Sequence, residues 1–281
     1  ADHPPRLVAR REEFPSRFWH SLVDNWPEGA PPRLVRLMSL VLARLPQEMF
    51  VSLRHGIASW AQKHLPTLMR TNLGLGLAAF DAIVARYLAA EPELLHSGIG
   101  MGSVGGVPLE RSEVSLMKAI NSPGGHLAHT VLALLQPTAP STLPDWAARR
   151  FAQLLTLPGD GGGHAACVLA RHFRWFDYWF PDWARSLSPI FALNHPLAEA
   201  AWHGLALAPD FIGDDAGRQI KPQLIALLSR TAPFALDDEA HKRLIGLMVN
   251  LTLGRDGKRA VIGFAEARRV LVLEADELRA A

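Results

Sequence analysis

The stretch Ser122–Leu135, "SPGGHLAHTVLALL", predicts the fold class of this chain. A serine followed by a proline is a preferred helix start, because the hydroxyl caps a free backbone N–H and proline fits the first helical position. Leu127, Val131 and Leu134 then follow the three- and four-residue spacing of one helix face. We therefore expect a helix here, and its two early glycines should let a neighbouring helix approach closely.

Similar helices recur along the chain at intervals of roughly 40 residues, the size of a two-helix HEAT-like unit. They read "GGGHAACVLARHF" from Gly161, "NHPLAEAAWHGLAL" from Asn194 and "DDEAHKRLIGLMVNL" from Asp237. Second helices are expected between them, over 143–156, 174–188 and 217–229. Convincing runs of alternating apolar and polar residues are absent. The pattern predicts an all-α fold, arranged as an irregular HEAT-like α-solenoid of stacked helical hairpins.

Several helix boundaries and faces are also expected. Asn194-His195-Pro196 repeats the cap-and-proline chemistry of a helix start, and Asp237 with its acidic neighbours marks another helix N-terminus. Gly254 should end the helix that begins at Asp237. The stretch 268–276, "RRVLVLEAD", is interpreted as helix because it continues a helical pattern. Residues that follow the spacing of one apolar helix face near the N-terminus are Leu34, Leu37, Met38, Val41 and Leu45.

A glycine-rich loop over 96–111 is the best candidate for a domain boundary. It would separate an N-terminal helical bundle (1–95) from HEAT-like helical repeats (112–281), although one continuous array is the alternative. Within the loop, Gly100–Gly105 reads "GMGSVG" and matches the dinucleotide-binding fingerprint. That fingerprint needs a strand before it and a helix opening within it, and neither is expected here. We therefore expect an inter-helix loop and no cofactor.

Composition limits the function classes further. The chain has 281 residues, 49% of them hydrophobic, and a formal net charge of only +2. Without a clustered basic face, this balance argues against nucleic-acid binding. No apolar run reaches the roughly 18 residues of a membrane span. The single cysteine, Cys167, allows no intramolecular disulfide and fits a reducing cytoplasm.

The 12 histidines invite a search for metal ligands. His126 and His129 are three residues apart, and His164 and His172 lie with Cys167 on one predicted helix. No carboxylate stands at a matching spacing within either helix, and the H-E-x-x-H pattern is absent. We interpret these histidines as helix-end and interface residues, and Cys167 as a small buried hydrophobe.

An aromatic segment is the most distinctive feature of the chain. The stretch His172–Phe191 reads "HFRWFDYWFPDWARSLSPIF". So many rings cannot all face inward from one helix, so some should pack in the core and others should reach the surface. Exposed aromatic and arginine side chains are typical of protein-binding hot spots. The candidate protein-binding residues are Arg171, Arg174, Trp175, Tyr178, Trp179 and Trp183.

The same region carries a family resemblance. The order "WFDYWFPDWARSLSPIFALNHPLAEAAWHGLALAP" (175–209), then "IKPQLIALL" (220–228), resembles the C-terminal helical region of bacterial sirtuin-like proteins linked to anti-phage defence. The resemblance covers 115–250, with "NSPGGHLAHTVLALL" upstream. It implies a fused sirtuin-like domain that hydrolyses NAD, and a helical region that senses or regulates by binding a phage protein or another protomer. No catalytic residue of that family maps onto this chain.

The sequence thus predicts a non-catalytic helical scaffold for protein recognition, expected as one module of a larger cytoplasmic defence protein. A purely structural spacer stays open as an alternative, and so do two other functions. One is a metal-dependent helical enzyme that uses the histidine pairs. The other is a nucleic-acid-binding α-solenoid that uses arginine-rich helix faces.

Overall fold

The chain is helical almost throughout the part that the structure describes. A computed structural model describes residues 17–95, 103–104, 107–108, 116–137, 139, 141–208, 212–229, 234, 236–254 and 260–280. Within these ranges the one departure from helix and loop is a pair of two-residue antiparallel strands, β1 (Ser103–Val104) and β2 (Val107–Pro108). The expected all-α class is confirmed for the described residues.

The helices follow one another with short connections, and their bounds agree with the sequence pattern in most places. They are α1 (17–24), α2 (Pro32–Ala43), α3 (Gln47–Ser52), α4 (Arg54–Thr71), α5 (Leu73–Leu88), α6 (Leu116–Ile120), α7 (Pro123–Leu132), α8 (Asp145–Leu154), α9 (Gly161–Arg171), α10 (Phe173–Trp179), α11 (Pro181–Leu187), α12 (Ala198–Ala206), α13 (Asp214–Leu228), α14 (Asp238–Leu253) and α15 (Phe264–Ala280). Short 3₁₀ turns cover Pro92–Leu95 and Ser188–Phe191. No described helix is both long enough and apolar enough to cross a membrane.

The described residues fall into two compact units, each assembled from separate stretches of chain. The first draws on Ala1–Gly98, Ile120–Gln136 and Arg150–Ala165, and the second draws on Ile99–Ala119, Pro137–Arg149 and Ala166–Ala281. The predicted boundary at 96–111 lies mostly outside the described residues and stays a prediction. The same holds for most of the "GMGSVG" loop.

The first unit is built around α4, which packs against α2, α5 and α7. Its largest buried rings include Trp60, Phe80 and Tyr87, each no more than 1% exposed. In the second unit, α12 packs against α14, and α13 packs against both α14 and α15. Burial of such apolar faces is the main force that holds helices of this length together.

Two of the three expected helix starts are confirmed. The Ser122 hydroxyl accepts a hydrogen bond from the Gly125 N–H at 3.1 Å, and Asp237 Oδ1 accepts one from the Ala240 N–H at 2.8 Å. The start predicted at Asn194-His195-Pro196 is wrong. There His195 Nδ1 accepts the Leu197 N–H at 3.1 Å, which holds a turn, and α12 begins only at Ala198.

The glycine-rich helix starts allow the close approach that the sequence predicts. A methyl group added at Gly124 on α7 would lie 2.2 Å from the Gly161 carbonyl oxygen on α9. One added at Gly204 on α12 would lie 2.0 Å from the Cys167 carbonyl oxygen, also on α9. Helix backbones meet directly at both places, so no side chain larger than hydrogen fits.

The apolar face expected near the N-terminus is only partly buried. Met38 and Leu45 are buried, but Leu34 and Leu37 are 41% and 58% exposed. The face of α2 that packs on α4 and α5 carries Val35, Met38, Ser39 and Leu42 instead. The predicted helix is present, but α2 has two apolar stripes, and spacing alone does not tell which of them is covered.

Candidate protein-binding surface

The aromatic segment contributes mainly to the core of the second unit. Phe173 and Phe176 on α10 are fully buried, and Phe180 between α10 and α11 is 3% exposed. The Phe173 ring lies 5.0 Å from the ring of Phe191, which lies 5.2 Å from that of Trp202. Edge-to-face contacts of this kind stabilise beyond the buried area alone. The expectation that some rings pack inside is therefore confirmed.

The six predicted contact residues differ in their exposure to solvent. Tyr178 is 62% exposed, whereas the other five are half-buried. Among the rings, Trp175 and Trp183 lie 5.1 Å and 4.3 Å from Phe176. The structure places the six at the end of α9 and on α10 and α11: Arg171, Arg174, Trp175, Tyr178, Trp179 and Trp183. Their role in binding a partner stays a prediction.

An exposed apolar groove lies elsewhere in the second unit, between α14 and α15. Its volume is about 380 Å³. The groove is lined by Val249, Thr252, Leu253, Phe264, Ala267, Arg268, Leu271 and Val272. Leu253 and Phe264 are 72% and 78% exposed, an unusual degree of exposure for neighbouring large apolar side chains. The sequence pattern gave no indication of this groove.

Few polar groups in the groove are free to compete with an apolar ligand. The Thr252 hydroxyl donates to the Met248 carbonyl oxygen within α14 at 2.8 Å. Arg268 is the one charged side chain among the residues that line the groove. A ligand is therefore expected to be largely apolar, with at most one acidic group at the edge.

The two helices that form the groove are fixed at their ends. Asp237 caps the start of α14, and Gly254, at a φ of +68°, ends that helix as predicted. At the start of α15, the Glu266 carboxylate accepts the Gly263 N–H and the Lys221 ammonium, both at 2.8 Å. The Lys221 bond, followed by the Gly263 bond, lowers the pKa of Glu266. These contacts pre-organise the groove walls before any ligand arrives.

The histidine and cysteine candidates do not assemble a metal site within the described residues. No group of three or more His, Cys, Asp or Glu side chains there is arranged to hold an ion. Cys167 is buried, as expected, and burial raises the pKa of its thiol to about 12. A thiol that stays protonated is a poor nucleophile and a poor metal ligand.

Buried and half-buried histidines should instead make the fold sensitive to acid. Burial is the main reason why the pKa is lowered for His55, His64, His126 and His203. For His126 the pKa falls to about 4, and nearby His129, His55 and Lys63 contribute to that shift. His126 Nδ1 also contacts the Gln62 side-chain oxygen.

We expect the urea concentration at the unfolding midpoint to be lower at pH 5 than at pH 7.5. The ordinary histidine pKa is 6.5, so the unfolded chain binds more protons than the folded chain once the pH drops below that value. The stabilising effect of the neutral histidines is thus complete above about pH 6.5 and is lost as the pH falls towards 4. His126→Gln should reduce the difference between the two midpoints. Equal pH dependence in both proteins would contradict this assignment.

Comparison with known proteins provides no assignment: no family model, no curated protein and no solved structure matches this chain. Its function must therefore be inferred from its own residues.

Proposed function

We propose that this chain is a non-catalytic helical scaffold that recognises a protein partner through the groove between α14 and α15. The observation that carries the proposal is the exposure of Leu253 and Phe264, 72% and 78%, at the edges of a groove of about 380 Å³. Covering water-exposed apolar walls of this kind with another apolar surface lowers the free energy.

The occupant that best fits the groove is an amphipathic helix of the partner. Two packed helices leave between them a furrow that accepts a third helix, anchored by side chains three, four and seven residues apart. Leu271 and Val272 on α15 line that furrow together with Val249 on α14, and all three are aliphatic. Arg268 adds one positive charge, which would pair with an acidic residue flanking the apolar anchors.

The wider arrangement is proposed as an irregular HEAT-like stack of helical hairpins. In support, α13 lies between α12 and α14 along the chain, and α14 packs against both of them. The resemblance to sirtuin-like defence proteins extends the proposal. The chain would then be the cytoplasmic sensor or regulator of a larger NAD-hydrolysing protein, with a phage protein or another protomer as its partner.

A displayed library of helical peptides, randomised at four positions of one face, tests the groove directly. We expect selection on the purified chain to enrich apolar residues at those positions. Leu253→Asp or Phe264→Asp should weaken binding of the selected peptides at least about tenfold, because a carboxylate would have to be desolvated against the apolar ligand. Dissociation constants from fluorescence anisotropy measure the effect.

Leu73→Asp on α5 is the matched control, because Leu73 is also an exposed leucine, at 40%, but lies in the other unit. Its affinity for the selected peptides should equal that of the unchanged chain, and circular dichroism should show all three variants folded. Selected peptides that bind the Phe264→Asp and Leu253→Asp variants undiminished would overturn the proposal.

A further inference from the structure

The outer face of α2 combines exposed leucines with exposed arginines. Leu34, Leu37 and Leu40 are 41%, 58% and 39% exposed, while the opposite face of the same helix packs in the core of the first unit. Single exposed leucines are common, but three on one face make a continuous apolar strip. At 1.5 Å per residue, the strip is about 9 Å long.

The charge on this face has one sign. Arg33, Arg36 and Arg44 are exposed, and α2 contains no acidic residue. None of the three side chains makes a hydrogen bond or ion pair with any residue that the structure describes. Three positive charges therefore accompany the strip without an ion-pair partner in the described part of the chain.

The order of these side chains around the helix matters. With 100° per residue, Arg33 and Arg44 lie within about 40° of Leu37, so they stand in line with the strip at its two ends. Their separation of eleven residues corresponds to about 16 Å along the axis. Leu34 and Leu40 lie about 60° to either side of Leu37, and Arg36 lies on one flank.

The first unit also holds α2 firmly in place. The Arg86 guanidinium donates to the Ala43 and Leu45 carbonyl oxygens at the end of α2, at 2.8 and 2.7 Å. It also lies 4.9 Å from the centre of the Phe50 ring. A face presented in this way loses little conformational freedom when a ligand binds.

We propose that the outer face of α2 docks an acidic amphipathic helix of a partner protein. An apolar ridge of that helix would cover Leu34, Leu37 and Leu40, and carboxylates about 16 Å apart would meet Arg33 and Arg44. A second copy of this face does not fit, because it would bring like charges together. A lipid surface fits less well, because the arginines close both ends of a strip only about 9 Å long rather than bordering a broad apolar face.

This site rests on residues of the first unit and is independent of the groove between α14 and α15. The probe is a synthetic helical peptide with leucines along one face and two glutamates about eleven positions apart. A matched peptide carries lysines in place of the glutamates. We expect the acidic peptide to bind the full chain at least about tenfold more tightly than the basic one, and less tightly as salt is raised.

Charge reversal provides the decisive comparison. The variant Arg33→Glu/Arg36→Glu/Arg44→Glu should reverse the preference and bind the lysine peptide more tightly, since all three side chains are exposed and the fold should be kept. Leu37→Asp should weaken both peptides, and Met117→Asp on α6, which changes an exposed apolar residue outside both sites, should change neither affinity. Equal binding of the two peptides, or binding of neither, would overturn the proposal. Flotation of the chain with phosphatidylserine vesicles, abolished by the charge reversal, would assign the face to a lipid surface instead.

Discussion

Gly204→Ala is expected to lower the free energy of unfolding by about 3 kcal/mol, although it adds a single methyl group. The new carbon would lie 2.0 Å from the Cys167 carbonyl oxygen and 2.8 Å from its carbonyl carbon. Both are backbone atoms of α9, so no side chain can rotate away and the two helices would have to separate. Urea denaturation followed by circular dichroism measures the loss.

Gly246→Ala is the matched control, because it is the same chemical change inside α14. A methyl group at Gly246 would have no heavy atom within 4 Å apart from its chain neighbours and the backbone of its own helical turn. Alanine is favoured over glycine in a helix interior, so this variant should gain up to about 1 kcal/mol of stability. If Gly204→Ala and Gly246→Ala unfold at the same urea concentration, α12 and α9 do not make the close contact described here.

Phe176→Ala is expected to cost about 3–5 kcal/mol of stability. The Phe176 side chain is fully buried, and its ring lies 4.3 Å from that of Trp183 and 5.1 Å from that of Trp175. Removing it leaves a cavity that the two neighbouring tryptophans cannot fill without leaving their own positions. Thermal and urea unfolding should both reveal the loss.

Tyr178→Ala, two residues along the same helix, should change stability by no more than about 1 kcal/mol. Tyr178 is 62% exposed, and its ring contact is with Trp179 at 4.8 Å. The two variants therefore separate the core rings of α10 from the exposed one. Comparable losses of stability in Phe176→Ala and Tyr178→Ala would contradict the placement of Phe176 in the core and of Tyr178 in solvent.

The helices could be predicted because their signals are local. The cap at Ser122 depends on residues within one turn, and so does the acidic start at Asp237. The close approach at Gly124 could also be anticipated, since small residues early in a helix leave room for another backbone. Asn194-His195-Pro196 misled the prediction because a side-chain acceptor, His195 Nδ1, can hold a turn as readily as a cap can start a helix.

The candidate surfaces could not be predicted, because exposure depends on which elements become neighbours. Leu34 and Leu37 have the spacing of a core face, yet the fold covers the other side of α2. Phe264 and Leu253 stand on different helices, and only the packing of α14 with α15 brings them to one groove. Conversely, most rings of the aromatic segment contact the core, and the spacing of these residues in the sequence does not tell which rings do so.

The interleaving of the two units along the chain affects how the protein is made and dissected. The first unit receives its last segment only with Arg150–Ala165, after parts of the second unit have already been translated. On the ribosome, the face of α4 that packs on α7 stays uncovered until α7 has been translated. For the same reason, no single cut in the chain yields both units whole, so functional mapping by truncation would report misfolding, and point substitutions are the appropriate tool.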